Sequence, residues 1–170
     1  MDKELHAKVL LVDDEEAFTD ALSKRLEARN LKVKTVNRGE DAIHMVDEQS
    51  FDAIILDLAM PGMDGLETLQ QIKANHPDAE IIMLTGHASV ENSVKAMKIG
   101  AEDLLEKPVD IAELLSKIEE AQKKFEFELR YVHEPEVGLS RSRNTGAEAA
   151  SGDVVLFLDD DIEILFRYRR

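Results

Sequence analysis

The feature that most constrains this chain is an alternation repeated five times, in which a short apolar run is followed by a stretch with helical spacing of apolar residues. The runs are KVLLV at 8–12, LKVKTV at 31–36, DAIIL at 52–56, EIIML at 80–84 and DLLE at 103–106. The helical stretches are expected to bear packed faces made of Ala17, Phe18, Ala21, Leu22 and Leu26, then Ile43 and Val46, then Leu66, Leu69 and Ile72, then Val90, Val94 and Met97, and finally Ile111, Leu114, Leu115 and Ile118. Spacing of i, i+3, i+4, i+7 marks the last of them most clearly. Such alternation implies parallel strands with helices on both sheet faces, joined by right-handed crossovers. Strands covered on both faces read as continuous apolar runs, as VLLV, AIIL and IIML do, whereas LKVKTV alternates and belongs at an edge. The expected fold class is α/β, a doubly wound five-stranded parallel sheet of order 2-1-3-4-5.

In a sheet of that order the winding reverses between the first and third strands, and ligands of open α/β sheets bind there, beyond the carboxyl ends. The first strand runs into Asp13-Asp14 and the third into Asp57. Aspartate is depleted in strands and rarely buried without a partner, so Asp57 is either a turn former or a reagent held at the sheet edge. Two like charges about 4 Å apart repel by roughly 4 kcal/mol at an effective dielectric near 20, and three acids at one place call for a compensating cation. Oxygen-only donors favour Mg²⁺, which takes one or two carboxylates together with phosphate oxygens. Thr85 ends the fourth run with a hydroxyl donor, and Lys107 follows the fifth with a point charge suited to phosphate. Singly, each residue has a plainer reading: Asp13 and Asp14 as helix-start acids, Thr85 as a turn residue, Lys107 as a solvated lysine. Jointly, at successive strand ends, they describe a site for a phosphoryl group.

Composition removes other classes. A formal charge of −15 does not supply the clustered Lys and Arg that a nucleic-acid surface needs. There is no cysteine, hence no disulfide framework or thiolate metal site, which fits a reducing compartment. No apolar run approaches the roughly 20 residues of a membrane span, so the expectation is a cytoplasmic protein. The five histidines lack metal-ligand spacing, and HExxH, GxSxG and P-loop motifs are absent.

With LLVDDE around Asp13 and Asp14, LDLAMPGMDG around Asp57, MLTGHA around Thr85 and EKPVD around Lys107, residues 1–125 resemble the receiver domain of two-component response regulators, a flavodoxin-like fold. The resemblance implies that Asp57 takes a phosphoryl group from a phosphohistidine on a sensor histidine kinase or phosphotransfer protein. It implies Mg²⁺, for which Mn²⁺ can stand in, held by Asp14 directly, by Asp13 mainly through water, by Asp57 and by the Ala59 backbone carbonyl. Lys107 would pair with a phosphoryl oxygen ahead of a cis Pro108 peptide, and Thr85 would donate its hydroxyl and move toward the phosphate. No turnover is expected beyond self-phosphorylation from a phosphodonor and loss of that group. A downstream protein target and a homodimer are the further partners implied. Where the family usually carries Tyr or Phe, three residues before the lysine, this chain has Leu104, so the switch pair is Thr85 and Leu104 without an aromatic ring. Ala59 and His87 fall where side chains tune the lifetime of the aspartyl phosphate.

Composition changes after residue 125. The segment 126–170 reads as a βαβ unit, with a strand ending at Tyr131 and Val132, a helix over 139–150 stopped by Gly152, and an apolar strand at 154–158 ending in Asp159-Asp160-Asp161. SRSRNTGAEAASGDVVLFLDDD resembles the part of inverting, family-two-like glycosyltransferases of the A-type fold that leads into their metal-binding Asp-x-Asp. The resemblance would set Asp159 and Asp161 against a divalent metal and a sugar-nucleotide diphosphate, with Arg143 and Asn144 near. The nucleotide-binding strand before this part and the acceptor region after it are missing, so a fragment without its own activity is expected, a nucleotide-sugar glycosyltransferase or its inactive remnant being the alternative. The apolar strand would extend the receiver sheet beyond the fifth strand, within one chain or by exchange between two.

Overall fold

A computed structural model of the protein describes residues 6–86 and 89–124. The order of elements is β1 (Lys8–Val12), α1 (Glu16–Glu27), β2 (Lys32–Val36), α2 (Gly39–Glu48), β3 (Ala53–Asp57), α3 (Gly65–Asn75), β4 (Ile81–Thr85), α4 (Val90–Ile99), β5 (Asp103–Glu106) and α5 (Ile111–Lys123). The strands form one parallel sheet of order β2-β1-β3-β4-β5, as the alternation requires. Among the described residues no helix is long and apolar enough to cross a membrane. The segment 126–170 with its expected sheet extension, including Arg143, Asn144, Asp159 and Asp161, lies outside the described residues, as does His87.

Strand side chains point alternately to the two faces, and each face has its own core. Val9, Leu11, Ala53, Ile55, Ile82 and Leu84 pack with Leu22 and Leu26 of α1 and Leu114, Ile118 and Ala121 of α5. Leu10, Val12, Ile54, Leu56, Ile81 and Met83 pack with Ala42 and Val46 of α2, Leu69 and Ile72 of α3 and Ala96 of α4. β1, β3 and β4 are buried almost throughout, while β2 alternates and is largely exposed at its edge. Side chains fix where helices begin: the carboxylate of Asp64 accepts from the Glu67 N–H, that of Asp110 from Ala112 and Glu113, and the Ser89 hydroxyl from Asn92. Gly100 closes α4 in the left-handed region at φ +117°, where a side chain would be strained.

Two helices depart from the expected faces. On α1, Ala17 and Ala21 are exposed and Thr19 is buried in their stead. Its hydroxyl donates to the Glu16 carbonyl, which removes the cost of burying it. On α4 the expected stripe is turned to solvent: Val90 is 81% exposed, Val94 46% and Met97 49%. The helix packs instead through Ala96 with Asn92, Ser93 and Ile99 beside it, a face of mostly small side chains about a third of a turn away. Periodicity locates an apolar stripe, but the sheet below α4 is already filled by Met83, Ala101 and Leu104, and only a thin face fits against it.

Candidate functional site

The carboxyl ends of β1, β3, β4 and β5 bring together Asp13, Asp57, Thr85 and Lys107. Asp13 follows β1 by one residue; its N–H still donates to the Val36 carbonyl at 3.2 Å, and its side chain is buried. One carboxylate oxygen, Oδ1, accepts from the Glu15 N–H at 2.9 Å, which aims the other at the sheet edge. Asp14 is the first residue past that ladder and is exposed. Asp57 is the last residue of β3 and is 4% exposed. The next residue, Leu58, donates to the Leu84 carbonyl at 2.8 Å, and the Ala59 N–H reaches back to the Asp57 carboxylate. Carboxylate oxygens of Asp13, Asp14 and Asp57 lie within 4.8 Å of one another.

Lys107 crosses this group of acids. Its Nζ donates to Asp13 Oδ2 at 2.6 Å and lies 2.9 Å from Asp57 Oδ1. Its backbone N–H donates to the Thr85 carbonyl at 2.8 Å, and the Lys107–Pro108 peptide is cis. Thr85 is 2% exposed and stands in register with Glu106. Leu104 is partly buried on β5, against the core shared by α2, α3 and α4. Burial raises the Asp57 carboxyl above the ordinary aspartate value; the Lys107 hydrogen bond opposes that rise and the Asp13 charge adds to it. For Lys107 burial alone works downward, but the hydrogen bonds and charges of Asp13 and Asp57 outweigh it and hold the ammonium above the ordinary lysine value.

Two features of the site were not among its expected residues. The Phe18 ring faces the Lys107 ammonium, with Nζ 4.5 Å from the ring centroid; Phe18 lies in the first turn of α1, and no local sequence signal ties it to Lys107. Gly65 is the other. Its N–H donates to the Leu58 carbonyl at 3.0 Å, and a Cβ there would stand 2.2 Å from the Asp57 carbonyl oxygen and 2.7 Å from Leu58 Cα. Those are backbone atoms that cannot swing aside. Gly65→Ala is therefore expected to destabilise the fold by about 1–3 kcal/mol and to displace Asp57. Chemical denaturation measures the first effect, and Mg²⁺ titration of the surviving folded fraction the second. Unchanged stability would show that the loop after β3 can relax.

The donor set is oxygen only, two carboxylates buried and one exposed, which suits a hard cation that keeps some of its water. A groove of about 560 Å³ beside α1, β2 and α2, lined by Glu16, Asp20, Asp41, His44 and Glu48 among others, contains none of these residues. The site itself is an acidic edge with one lysine across it.

The family model for the response regulator receiver domain matches residues 9–119. The chain belongs to the response regulator receiver family. Its sequence is 38% identical over 113 residues to the transcriptional regulatory protein ZraR of Escherichia coli (strain K12), covering 66% of this chain and 26% of ZraR. To the response regulator MprA of Mycobacterium leprae it is 37% identical over 111 residues, 65% of this chain and 49% of MprA. The chain thus spans about a quarter to a half of the length of these relatives. Among solved structures, the Francisella response regulator 1452 receiver domain matches with a TM-score of 0.67 and 26% identity, over 71% of this chain and 99% of that one. The beryllofluoride-activated NtrC4 receiver domain, a dimer, matches with a TM-score of 0.65 and 40% identity, over 69% and 97%. The expected 2-1-3-4-5 receiver fold is thereby borne out, and with it a place in phosphorelay signal transduction. Receiver domains bind Mg²⁺ through an acidic aspartate cluster, and that cluster is present. The family model for glycosyl transferase family 2 matches residues 110–167, a third of the chain, and shares 110–119 with the receiver match. Those shared residues lie at the start of α5, which packs on the receiver core.

Proposed function

We propose that Asp57 is the phosphoacceptor of a phosphorelay, taking its phosphoryl group from a phosphohistidine on a sensor histidine kinase or phosphotransfer protein. The observation that carries the reading is the Asp57 carboxylate at the end of a buried strand, 2.9 Å from the Lys107 ammonium and beside Asp13 and Asp14. A carboxylate oxygen of Asp57 attacks phosphorus in line with the phosphoramidate bond. A P–O bond forms as the P–N bond breaks, and the departing imidazole nitrogen keeps the electron pair and takes a proton. β3 fixes the nucleophile, so little orientational freedom is left to lose at the moment of attack. Lys107 exchanges its Asp57 contact for a phosphoryl oxygen, and Thr85 donates its hydroxyl to another. Asp14, Asp13 through water, Asp57 and the Ala59 carbonyl would hold Mg²⁺ or Mn²⁺, which when bound offsets the negative charge gathered there. The phosphorylated form then acts on a downstream protein, with Thr85 and Leu104 reporting the change and a homodimer as one assembled state.

We further propose that the chain divides into a receiver at 1–125 and a glycosyltransferase-like fragment at 126–170. The match to glycosyl transferase family 2 favours a second reading for the fragment, in which Asp159 and Asp161 meet a metal and a sugar nucleotide. One experiment separates the two. The full chain is incubated with Mg²⁺ and phosphoramidate and weighed intact, and is titrated in parallel with a uridine-diphosphate sugar and Mn²⁺. Gain of one phosphoryl group with no nucleotide binding supports the receiver reading. Nucleotide binding lost in Asp159→Ala supports the second, and absence of any phosphoryl gain overturns the first.

A further inference from the structure

We propose that Phe18 is a positioning residue for Lys107, holding the ammonium over the acidic site through the face of its ring. This rests on the phosphoacceptor reading and names a residue that the reading does not use.

An ammonium has three N–H donors. In Lys107 the carboxylate contacts take two, one to Asp13 Oδ2 at 2.6 Å and one to Asp57 Oδ1 at 2.9 Å. The remaining contact on the described structure is the ring of Phe18, 4.5 Å from Nζ to the centroid. A cation within about 6 Å of an aromatic centroid is attracted by the ring quadrupole, and more so where water is excluded. The Lys107 side chain is 18% exposed, so the contact is largely desolvated. Phe18 is itself anchored, because it packs against the core beneath α1 and α5.

The consequence concerns what happens when Asp57 is esterified. Lys107 must release one carboxylate oxygen and find a phosphoryl oxygen a bond or two further out. A lysine stem has four rotatable carbons and, freed of one partner, would wander into solvent. The ring is a partner that does not change during the transfer. With it in place the ammonium keeps two of its three contacts, Asp13 and Phe18, and turns only the third.

Side-chain bulk and ring electronics can be separated by changing the quadrupole at nearly constant shape. Phe18 is replaced in the full chain by 3,4,5-trifluorophenylalanine, by Tyr and by Leu. Three quantities are read: melting temperature, beryllofluoride affinity in Mg²⁺, and the rate of phosphorylation by phosphoramidate. Fluorination and Phe18→Leu are expected to weaken beryllofluoride binding and slow phosphorylation by about threefold to tenfold, the ratio that a partly desolvated cation–π contact supports. Phe18→Tyr restores both to within about twofold, because its ring face is equally negative. The melting temperature of the fluorinated protein falls by at most a few degrees, the part of the ring–ammonium attraction present before transfer, and less than in Phe18→Leu, where core packing is lost as well; a purely structural role would leave its affinity and rate at the wild-type values. The Lys107 ε-methylene protons, shifted upfield by the ring current in wild type, return to ordinary positions only in Phe18→Leu. A fluorinated protein with wild-type affinity and rate overturns the proposal, as does a lysine without the upfield shift. Failure of wild type to take up either beryllofluoride or phosphate overturns the phosphoacceptor reading together with this one, whereas wild-type uptake with a flat ring series overturns this one alone.

Discussion

Asp57→Asn is expected to abolish phosphoryl uptake and, at the same time, to raise the melting temperature of the metal-free protein. The first effect follows from chemistry: an amide of the same shape offers no anionic oxygen, and Asp13, the other buried acid of the site, has one oxygen held by the Glu15 N–H and the other by Lys107. The second follows from burial. Asp57 has its carboxyl pushed up by desolvation and by Asp13, despite the Lys107 contact. The folded state therefore binds the proton more tightly than the unfolded chain does, and stability falls as pH rises from the unfolded value through the folded one. The loss is complete once pH exceeds the folded value. Asparagine carries no such titration, so the melting-temperature gap between variant and wild type should be near zero in acid, open as pH rises through the carboxylate range and then level off. Mg²⁺ should close it from the other side, since an ion bound only by the folded state stabilises wild type by mass action and finds one carboxylate fewer in the variant. Thermal melts across pH with and without Mg²⁺, and intact mass after phosphoramidate treatment, read all of this. Uptake by the variant at the wild-type rate would falsify the assignment of Asp57.

How much of this was legible in the sequence differs between backbone and side chains. The five strands could be read because β1, β3 and β4 are covered on both faces and their apolar runs admit no other placement. β2 was legible as an edge for the opposite reason, its lysines alternating with valines. Asp13, Asp57, Thr85 and Lys107 could be placed at one edge because parallel strands all end there, and the order of the sheet makes β1 and β3 neighbours. Which side of a helix packs was less legible. Val90, Val94 and Met97 form a true helical stripe, but Ala96 and its small neighbours lie against the sheet, because close approach is set by the room left under the helix and not by hydropathy. The Phe18 to Lys107 contact was hidden altogether, since nothing local links the first turn of α1 to the residue after β5. Only the fold brings those two ends across the same sheet edge.

Lys107→Ala is the second large effect, and its size depends on what else can neutralise the pocket. The ammonium lies between two buried carboxylates, at 2.6 Å from Asp13 and 2.9 Å from Asp57. Removing one partner of a fully buried pair costs about 3–5 kcal/mol because a bare charge is left behind. Here the mouth of the site is open at Asp14 and Ala59, water can enter, and burial already raises the Asp57 carboxyl, so a cost of about 1–3 kcal/mol is expected without Mg²⁺. Mg²⁺ should recover most of that loss, because the ion supplies the positive charge that the lysine did. The variant is therefore expected to fold and, with Mg²⁺, to accept a phosphoryl group at Asp57 more slowly than wild type. What it should lack is the response. Lys107 is joined to Asp57 through its side chain and to Thr85 through its backbone, so a shift of the ammonium toward a phosphoryl oxygen would pull on the end of β4 as well as on the residue after β5. Without the side chain that link is cut, while the β5 pairing that carries Leu104 stays as it was. Amide spectra recorded with and without beryllofluoride test the separation: wild type should show changes along 85–107, and Lys107→Ala should show them only next to Asp57. Identical responses in the two proteins would place the switch elsewhere, and a variant that stays unfolded in saturating Mg²⁺ would make Lys107 a structural residue first.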